Sequence, residues 1–537
     1  MTIRILFFTI IFFSFNASYT IQQTQAASKL GEIQFPTSGS GVAQNYFING
    51  VAALHSFWYP EALQEFQNST KADPDFAMGY WGEAMAHNAP LWERQDSKSA
   101  KVALSKISDL SKLTQREQHY IQAVQLLYGE GEKITRDKAY SKAMKKIYTQ
   151  YPNDLEAACF YSLSLLGIAR NTEKNIKLKV DSGAIALEIY EKDPDHPCAA
   201  HYAIHAFDHP DLALLALPSA KRYAKIAPAS HHAQHMPAHI FIQLGMWSEA
   251  AKSNENGWDT SKKWVEREQI AKSNRDYHSL QWLHYVYLQQ GLMRKAELIF
   301  KTQQKDMLEG IQAAAKSKPN PNLRSGKYYY RMFAATILET EQWEKAKQLI
   351  PPKGWKPKKF SKAGYDFVRG YAAAMQGNNE AEKHIKELKI IRQKGFHKNH
   401  FSRSEYLEVW ELEIKTAIKI YEKDYEAAIQ LAKKATLVEK QLPSPTGPPR
   451  ILKPTYELLG EVYLKAGKPK KAKEQFTISL TRHPNRIRSL LGVARSAKLD
   501  GDHITAKENY LQILSILKNA DEDFSALKEA KTFIKSL

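Results

Sequence analysis

The stretch Tyr456–Pro484, YELLGEVYLKAGKPKKAKEQFTISLTRHP, decides the fold. Ala472, Phe476 and Pro484 stand 12, 16 and 24 residues after Gly460, and 34 residues further on the same slots hold Ala494, Ala506 and Tyr510. Near the other end, FINGVAALHSFWYPEALQEFQNSTKADP (Phe47–Pro74) repeats the offsets with Gly50, Ala62, Phe66 and Pro74. Recurrence at a fixed period marks a unit that cannot bury its apolar face alone and stacks on copies of itself. Each copy reads as two antiparallel helices. The small residues let the pair approach closely, the aromatic fills the gap toward the next pair, and the proline ends the second helix.

Degenerate copies fill the middle, with Gly245 and Ala250, then Tyr287, Gly291, Ala296 and Phe300, then Trp343 and Ala346. Long period-two alternation is absent, so no sizeable sheet is expected. These offsets are those of the tetratricopeptide repeat and predict an all-α right-handed superhelix, an α-solenoid. Two proline-rich breaks, Lys316–Lys327 and Gln441–Pro454, cannot stay helical for long. They predict an N-terminal array over 28–315 with a histidine-lined groove, a middle helical segment over 316–440, a linker over 441–453 and a C-terminal repeat pair over 454–537. The alternative is that both breaks are long loops inside one array.

With 537 residues the chain has room for several core-forming units, and 43% apolar and 25% charged residues are ordinary for a folded soluble protein. Residues 1–27 read as a cleaved export signal: Arg4 supplies the positive start, Ile5–Phe15 the apolar run and Thr24–Ala26 the small-residue cut. A periplasmic or extracellular location follows, the alternative being an N-terminal anchor. The apolar run is short for a membrane span, and no later segment approaches one, so the mature chain is expected to have no integral membrane segment. Two cysteines do not make a disulfide scaffold. Whether Cys159 and Cys198 pair stays open; Cys159 reads as core and Cys198 as a small filler beside a turn. The net charge of +19 favours acidic surfaces. The basic residues, however, are spread along amphipathic helices with no nucleic-acid-reading signature, so no nucleic-acid partner is expected.

Histidine is concentrated in one region. HYAIHAFDHP (His201–Pro210) and HHAQHMPAHIFIQLGMW (His231–Trp247) follow a His196 in the turn DPDHP. His201, His205 and His209 are four apart, which on a helix places them on one face about 6 Å apart along the axis. Asp208 sits beside them. Ser230 is a candidate cap for the next first-of-pair helix, where His232, His235 and His239 recur at i, i+3 and i+7. First helices of successive repeats lie side by side about 8–10 Å apart, so the two faces are expected to meet in one groove and share a metal. Asp276 and His278, from a later first helix, and Glu83 and His87, from the second repeat, are secondary candidates. Trp92, Tyr202 and Met236 are expected to line the groove. Imidazole and carboxylate donors suit zinc, copper or iron better than calcium. The alternative is a polar network between helices. His119, His384, His397, His400, His483 and His503 read as surface residues, and His231 as pointing away from the cluster. There is no HExxH, no GxSxG, no phosphate-binding glycine loop and no CxxCH.

The motifs GVAALHSFWYPEA, YWGEAMAHNAPLW, AAHYAIHAFDHP, HAQHMPAHIFIQLGMW and DYHSLQWLHYVYLQQG resemble those of a family of exported bacterial tetratricopeptide-repeat proteins. The matching positions are His55, Glu83, His87, Trp92, His201, His205, Asp208, His209, His232, His235, His239, Asp276 and His278, within roughly the first 300 residues. The resemblance implies a helical superhelix and export, and carries no catalytic roles. It also marks a departure: members of the family often carry a histidine where this chain has Ala89, which weakens the second repeat as a source of ligands. Two functions remain from the sequence. One is a scaffold holding a protein or peptide in a concave groove with a histidine-rich transition-metal site. The other is a metal-dependent, hydrolase-like enzyme on the same scaffold, with Glu83 or Asp208 as base.

Overall fold

Helices follow one another in antiparallel pairs throughout the computed structural model, which describes residues 30–169, 175–315, 325–395 and 402–537. The chain is all-α, of the tetratricopeptide-repeat solenoid class. Among the described residues the only strands are the two-residue Asn88–Ala89 and Arg94–Gln95, which pair across the turn Pro90–Trp92. The expected export signal, residues 1–27, lies outside the described residues. No described helix is long and apolar enough to cross a membrane.

The repeat offsets have a direct physical cause. A Cβ added at Gly50 in the helix Gly41–His55 would come within 2.6 Å of the Phe66 ring, and one at Gly82 in Ala77–Ala86 within 2.2 Å of the same ring. Phe66, on the second helix of its pair, is therefore wedged between its own first helix and the next one. Phe476 repeats the arrangement between Gly460, at 2.9 Å, and Gly492, at 2.4 Å. Ala62 and Ala472 are wholly buried. A side chain at either glycine would force the helices apart, so slots filled by small residues are what the stacking demands.

The described residues form two compact units, one within Met1–Ala206 with Pro218–Gln234 and one within Phe207–Leu217 with His235–Leu537. The first has an aromatic core in which Phe35, Phe47, Trp81, Tyr120 and Phe160 meet largely edge to face. The second is centred on Phe367, Tyr371 and Trp410 and runs on to Phe476. The positions expected as boundaries, near 316 and 441, both fall within the sequence span of the second unit. Residues 316–324 lie outside the described residues. The segment 441–453 packs inside the second unit, where Gln243 Nε2 donates to the Pro445 carbonyl at 2.6 Å and the Gly447 backbone lies against Trp282. Its prolines prevent helix, but proline does not prevent burial.

Cys159 and Cys198 are joined in a disulfide with their Cα atoms 6.0 Å apart, and both are wholly buried. The filler reading of Cys198 is thereby corrected.

Candidate functional site

A single register relation builds the site. Counted from the first residue of each first-of-pair helix, Leu155–Ala169 carries Cys159 at position five. Pro197–Ala206 carries Cys198 at two, His201 at five and His205 at nine. The helix opening at His231 carries His232 at two and His235 at five. It continues past Met236, whose backbone stays right-handed helical, into Pro237–Gln243, which brings His239 to nine. Tyr277–Gln289 carries His278 at two. Position five of one helix meets position two of the next three times over: as the Cys159–Cys198 bond, as His201 Nε2 3.1 Å from His232 Nε2, and as His235 and His278 with ring centroids 4.7 Å apart. Position nine, one turn beyond five on the same stripe, adds His205 and His239.

In the first unit, His201, His205 and His232 offer ring nitrogens that all lie within 4.8 Å of one another. His201 Nε2 is 3.1 Å from both His205 Nε2 and His232 Nε2. His201 Nδ1 donates to the His55 carbonyl at 2.6 Å. A carbonyl oxygen only accepts, so the proton of a neutral His201 ring sits on Nδ1 and the lone pair on Nε2. That lone pair therefore points toward two other imidazole nitrogens. With bonds of 2.0–2.1 Å to a shared metal, a 3.1 Å separation corresponds to a ligand–metal–ligand angle of about 100°, suited to tetrahedral or octahedral geometry. The carbonyl behind His201 ends the helix Gly41–His55, where backbone oxygens lack helical partners. The chain leaves that helix through Phe57 at φ 53, a left-handed conformation uncommon for a bulky residue. Its ring centroid lies 4.2, 5.3 and 5.8 Å from those of His201, His205 and His232, and Tyr223 stacks on His201 at 4.9 Å. Strain at Phe57 is thus coupled to packing of the trio. His201 is wholly buried, whereas His205 and His232 are partly exposed.

In the second unit, the ring nitrogens of His235, His239 and His278 likewise lie within 4.8 Å of one another. His239 Nδ1 donates to Asp208 Oδ2 at 2.7 Å, and Gln243 Nε2 donates to Asp208 Oδ1 at 2.9 Å. His235 Nδ1 lies 2.7 Å from Asn254 Oδ1. The Asn254 amide is oriented by its Nδ2 donating to the Ala250 carbonyl at 2.8 Å, so His235 Nδ1 is the donor. Trp282 lies against all three rings, with centroids 4.8, 4.4 and 5.1 Å from those of His235, His239 and His278. Burial first, then the neighbouring His235, push the His278 ring well below the usual imidazole range. A Cβ at Gly447, which has φ +89, would sit 2.1 Å from the Trp282 ring. Gly447→Ala is accordingly expected to destabilise the second unit by about 1–3 kcal/mol and to move Trp282. Chemical unfolding with tryptophan emission as the readout checks this.

The expected ligands are thus divided between two trios, one in each unit. His278, a secondary candidate, completes the second trio. His209 joins neither, because its helix stops at Ala206; its Nδ1 accepts from the Asp211 backbone N–H at 3.2 Å. Asp208, released from that helix with it, partners His239. Asp276 caps the helix Tyr277–Gln289 by accepting from the backbone N–H groups of His278 and Ser279, and Ser230 caps the helix at His231 by accepting from Ala233 N–H at 3.2 Å. Glu83 accepts from Thr70 Oγ1 at 2.7 Å, and His87 follows the end of Ala77–Ala86, with burial lowering its pKa. Trp92 is exposed and packs against Phe57 and Tyr59 with its centroid 6.1 Å from that of His232. Tyr202 and Met236, expected on the groove wall, are wholly buried. His384, expected at the surface, is buried with Nδ1 3.1 Å from Asp366 Oδ1, while His397 and His400 lie outside the described residues.

A buried relay in the first unit lies outside the sites expected from the histidine spacing. Glu156, wholly buried, receives His55 Nε2 at 2.6 Å and His196 Nε2 at 3.1 Å, while Tyr202 Oη lies 2.8 Å from His55 Nδ1. Burial opposes ionisation of Glu156, but the two imidazoles outweigh it and bring the carboxyl to about 2. Burial pulls His55 down, partly offset by Glu156. One signal was legible: Glu156 is position two of its helix, the slot that holds Cys198, His232 and His278 in the helices that follow.

No protein-family model and no curated protein matches the chain. Solved structures that resemble it include the P58(IPK) TPR domain, 13% identical with a TM-score of 0.22 over 71% of this chain and 99% of that one. Yeast Tom70 is 12% identical with a TM-score of 0.30 over 92% and 89%. The human IFIT1 dimer with m7Gppp-AAAA is 13% identical with a TM-score of 0.32 over 92% and 94%. At such values the likeness extends to neither a ligand nor an activity.

Proposed function

We propose that the protein is an exported helical-repeat scaffold that binds a protein or peptide partner and holds a transition metal at His201, His205 and His232. The observation that carries the metal is the approach of His205 Nε2 and His232 Nε2 to His201 Nε2, each at 3.1 Å, while the His55 carbonyl fixes the tautomer that turns the His201 lone pair toward them. A backbone carbonyl behind a ligating histidine is the usual outer partner of such sites. Three imidazoles leave a coordination position for a donor from the partner, and zinc, copper or iron suits such donors. The buried disulfide supports export, since disulfides persist in oxidising compartments. The repeat architecture supports a binding role, because stacked helix pairs present extended surfaces. The hydrolase alternative is not adopted: its nominated bases are engaged, Glu83 with Thr70 and Asp208 with His239 and Gln243.

Metal-stripped mature protein titrated with Co2+ and Zn2+ tests the reading. His205→Ala is expected to weaken binding at this site by more than about 100-fold, whereas His209→Ala leaves it unchanged. Unaltered binding in His205→Ala sinks the proposal.

A further inference from the structure

The second unit carries its own case for a metal, one that does not rest on the first trio. We propose that His235, His239 and His278 form a second, separately loaded site for a divalent transition metal, with Asp208 and Asn254 as positioning residues. Three observations support it. The ring nitrogens lie within 4.8 Å of one another, and a tetrahedral site needs nitrogens about 3.4 Å apart, so small ring rotations close the set. Two of the rings are held from behind by acceptors: His239 Nδ1 donates to Asp208 Oδ2 at 2.7 Å and His235 Nδ1 to Asn254 Oδ1 at 2.7 Å. Both bonds place the proton on Nδ1 and the lone pair of the neutral ring on Nε2. Carboxylate–histidine and carbonyl–histidine pairs of this kind set the orientation and basicity of metal ligands.

The third observation is that the outer groups are themselves built in. Asp208 also accepts from Gln243, whose amide reaches the Pro445 carbonyl at 2.6 Å. Trp282, the common wall of all three rings, is backed by Gly447 of the same proline-rich loop. A polar network between helices would need no such backing. The two sites should also differ. Behind the first trio stands a neutral carbonyl; behind the second stands a carboxylate, whose negative charge favours a dication. Exchange of the Asp208 carboxylate for an amide therefore affects the second site alone.

The experiment uses the full mature chain, stripped of metal and titrated with Co2+ followed by its visible absorption, then with Zn2+ in competition. Wild type is expected to take two equivalents. His278→Ala and His278→Gln should each take one, and that one should vanish on adding His205→Ala. Asp208→Asn should keep both equivalents with the second weakened about 10- to 100-fold. Circular dichroism and the remaining first-site equivalent show that the His278 variants are folded. Two equivalents at wild-type affinity in both His278 variants overturn this inference and leave the first site standing. One equivalent in wild type, lost with His205→Ala alone, also overturns it. One equivalent in wild type that is lost in both His278 variants and kept in His205→Ala would sink the first reading and leave this one standing.

Discussion

Replacing Glu156 by Ala is expected to destabilise the first unit by about 3–5 kcal/mol, the usual cost of stripping one partner from a buried charge network. Glu156 is wholly buried and its two carboxylate oxygens hold His55 and His196 at 2.6 and 3.1 Å. Removing it leaves two buried imidazoles without an acceptor and opens space beside the disulfide. The effect reaches the candidate site through the backbone, because the His55 carbonyl holds His201 Nδ1. First-site metal affinity should therefore fall in Glu156→Ala although no ligand has been changed. The pH dependence has a definite sign. The folded-state carboxyl titrates at about 2, below its ordinary value of 4.5. Stability from this group is thus fully present above about pH 4.5 and is lost as pH falls toward 2. The shift corresponds to about 3 kcal/mol. Urea unfolding of wild type and Glu156→Gln should show curves that differ near pH 7 and converge toward pH 2. A constant difference across that range would falsify the assignment.

The fold was legible because its determinants are local and repeated. Gly50 and Phe66, or Gly460 and Phe476, are 16 residues apart in sequence, and that spacing is itself the contact between the two helices. The concentration of histidine was equally visible, as was the i, i+4 pairing of His201 with His205 and of His235 with His239. How those pairs combine was not. The rule that position five faces position two of the next helix is a property of stacking, and the loops that set its register differ in length. From His205 to His232 is 27 residues, but from His239 to His278 is 39. Counting along the chain therefore suggests one groove shared by six histidines. Counting from helix starts yields two trios and, one step earlier, the Cys159–Cys198 bond. His209 misled because Pro210 acts upstream as well: the residue before a proline is driven out of helical geometry, and the helix had already stopped at Ala206.

The same register explains where the histidines stop, and there the second large effect is expected. Positions five and nine of the helix Tyr277–Gln289 are Gln281 and Tyr285, and Tyr285 Oη accepts from Arg486 Nη1 at 2.9 Å. Arg486 is 1% exposed. Its Nε and Nη2 donate to the wholly buried Glu457 at 2.7 and 3.1 Å, and its Nη1 donates to Glu339 at 2.7 Å. Burial alone would keep Glu457 neutral, yet Arg486 and then Lys453 hold its carboxyl well below the usual range. Arg486→Ala leaves that carboxylate to the Ser489 hydroxyl at 2.7 Å, Lys453 at 3.3 Å and Arg488 at 3.6 Å, none with the two-pronged fit. A loss of about 3–5 kcal/mol from the second unit follows. Arg486→Lys recovers only part of it, since an ammonium is a point charge and cannot fork across two acceptors. The paired change Arg486→Met with Glu457→Met should cost less than the sum of the single changes, because the wholly buried Glu457 carboxylate is removed together with its forked partner and only Glu339 loses a contact. Chemical unfolding of all four chains measures the coupling. Additive losses would mean that the knot is incidental, and that Arg486 contributes by packing its aliphatic stem instead of by anchoring the stack beyond the histidine slots.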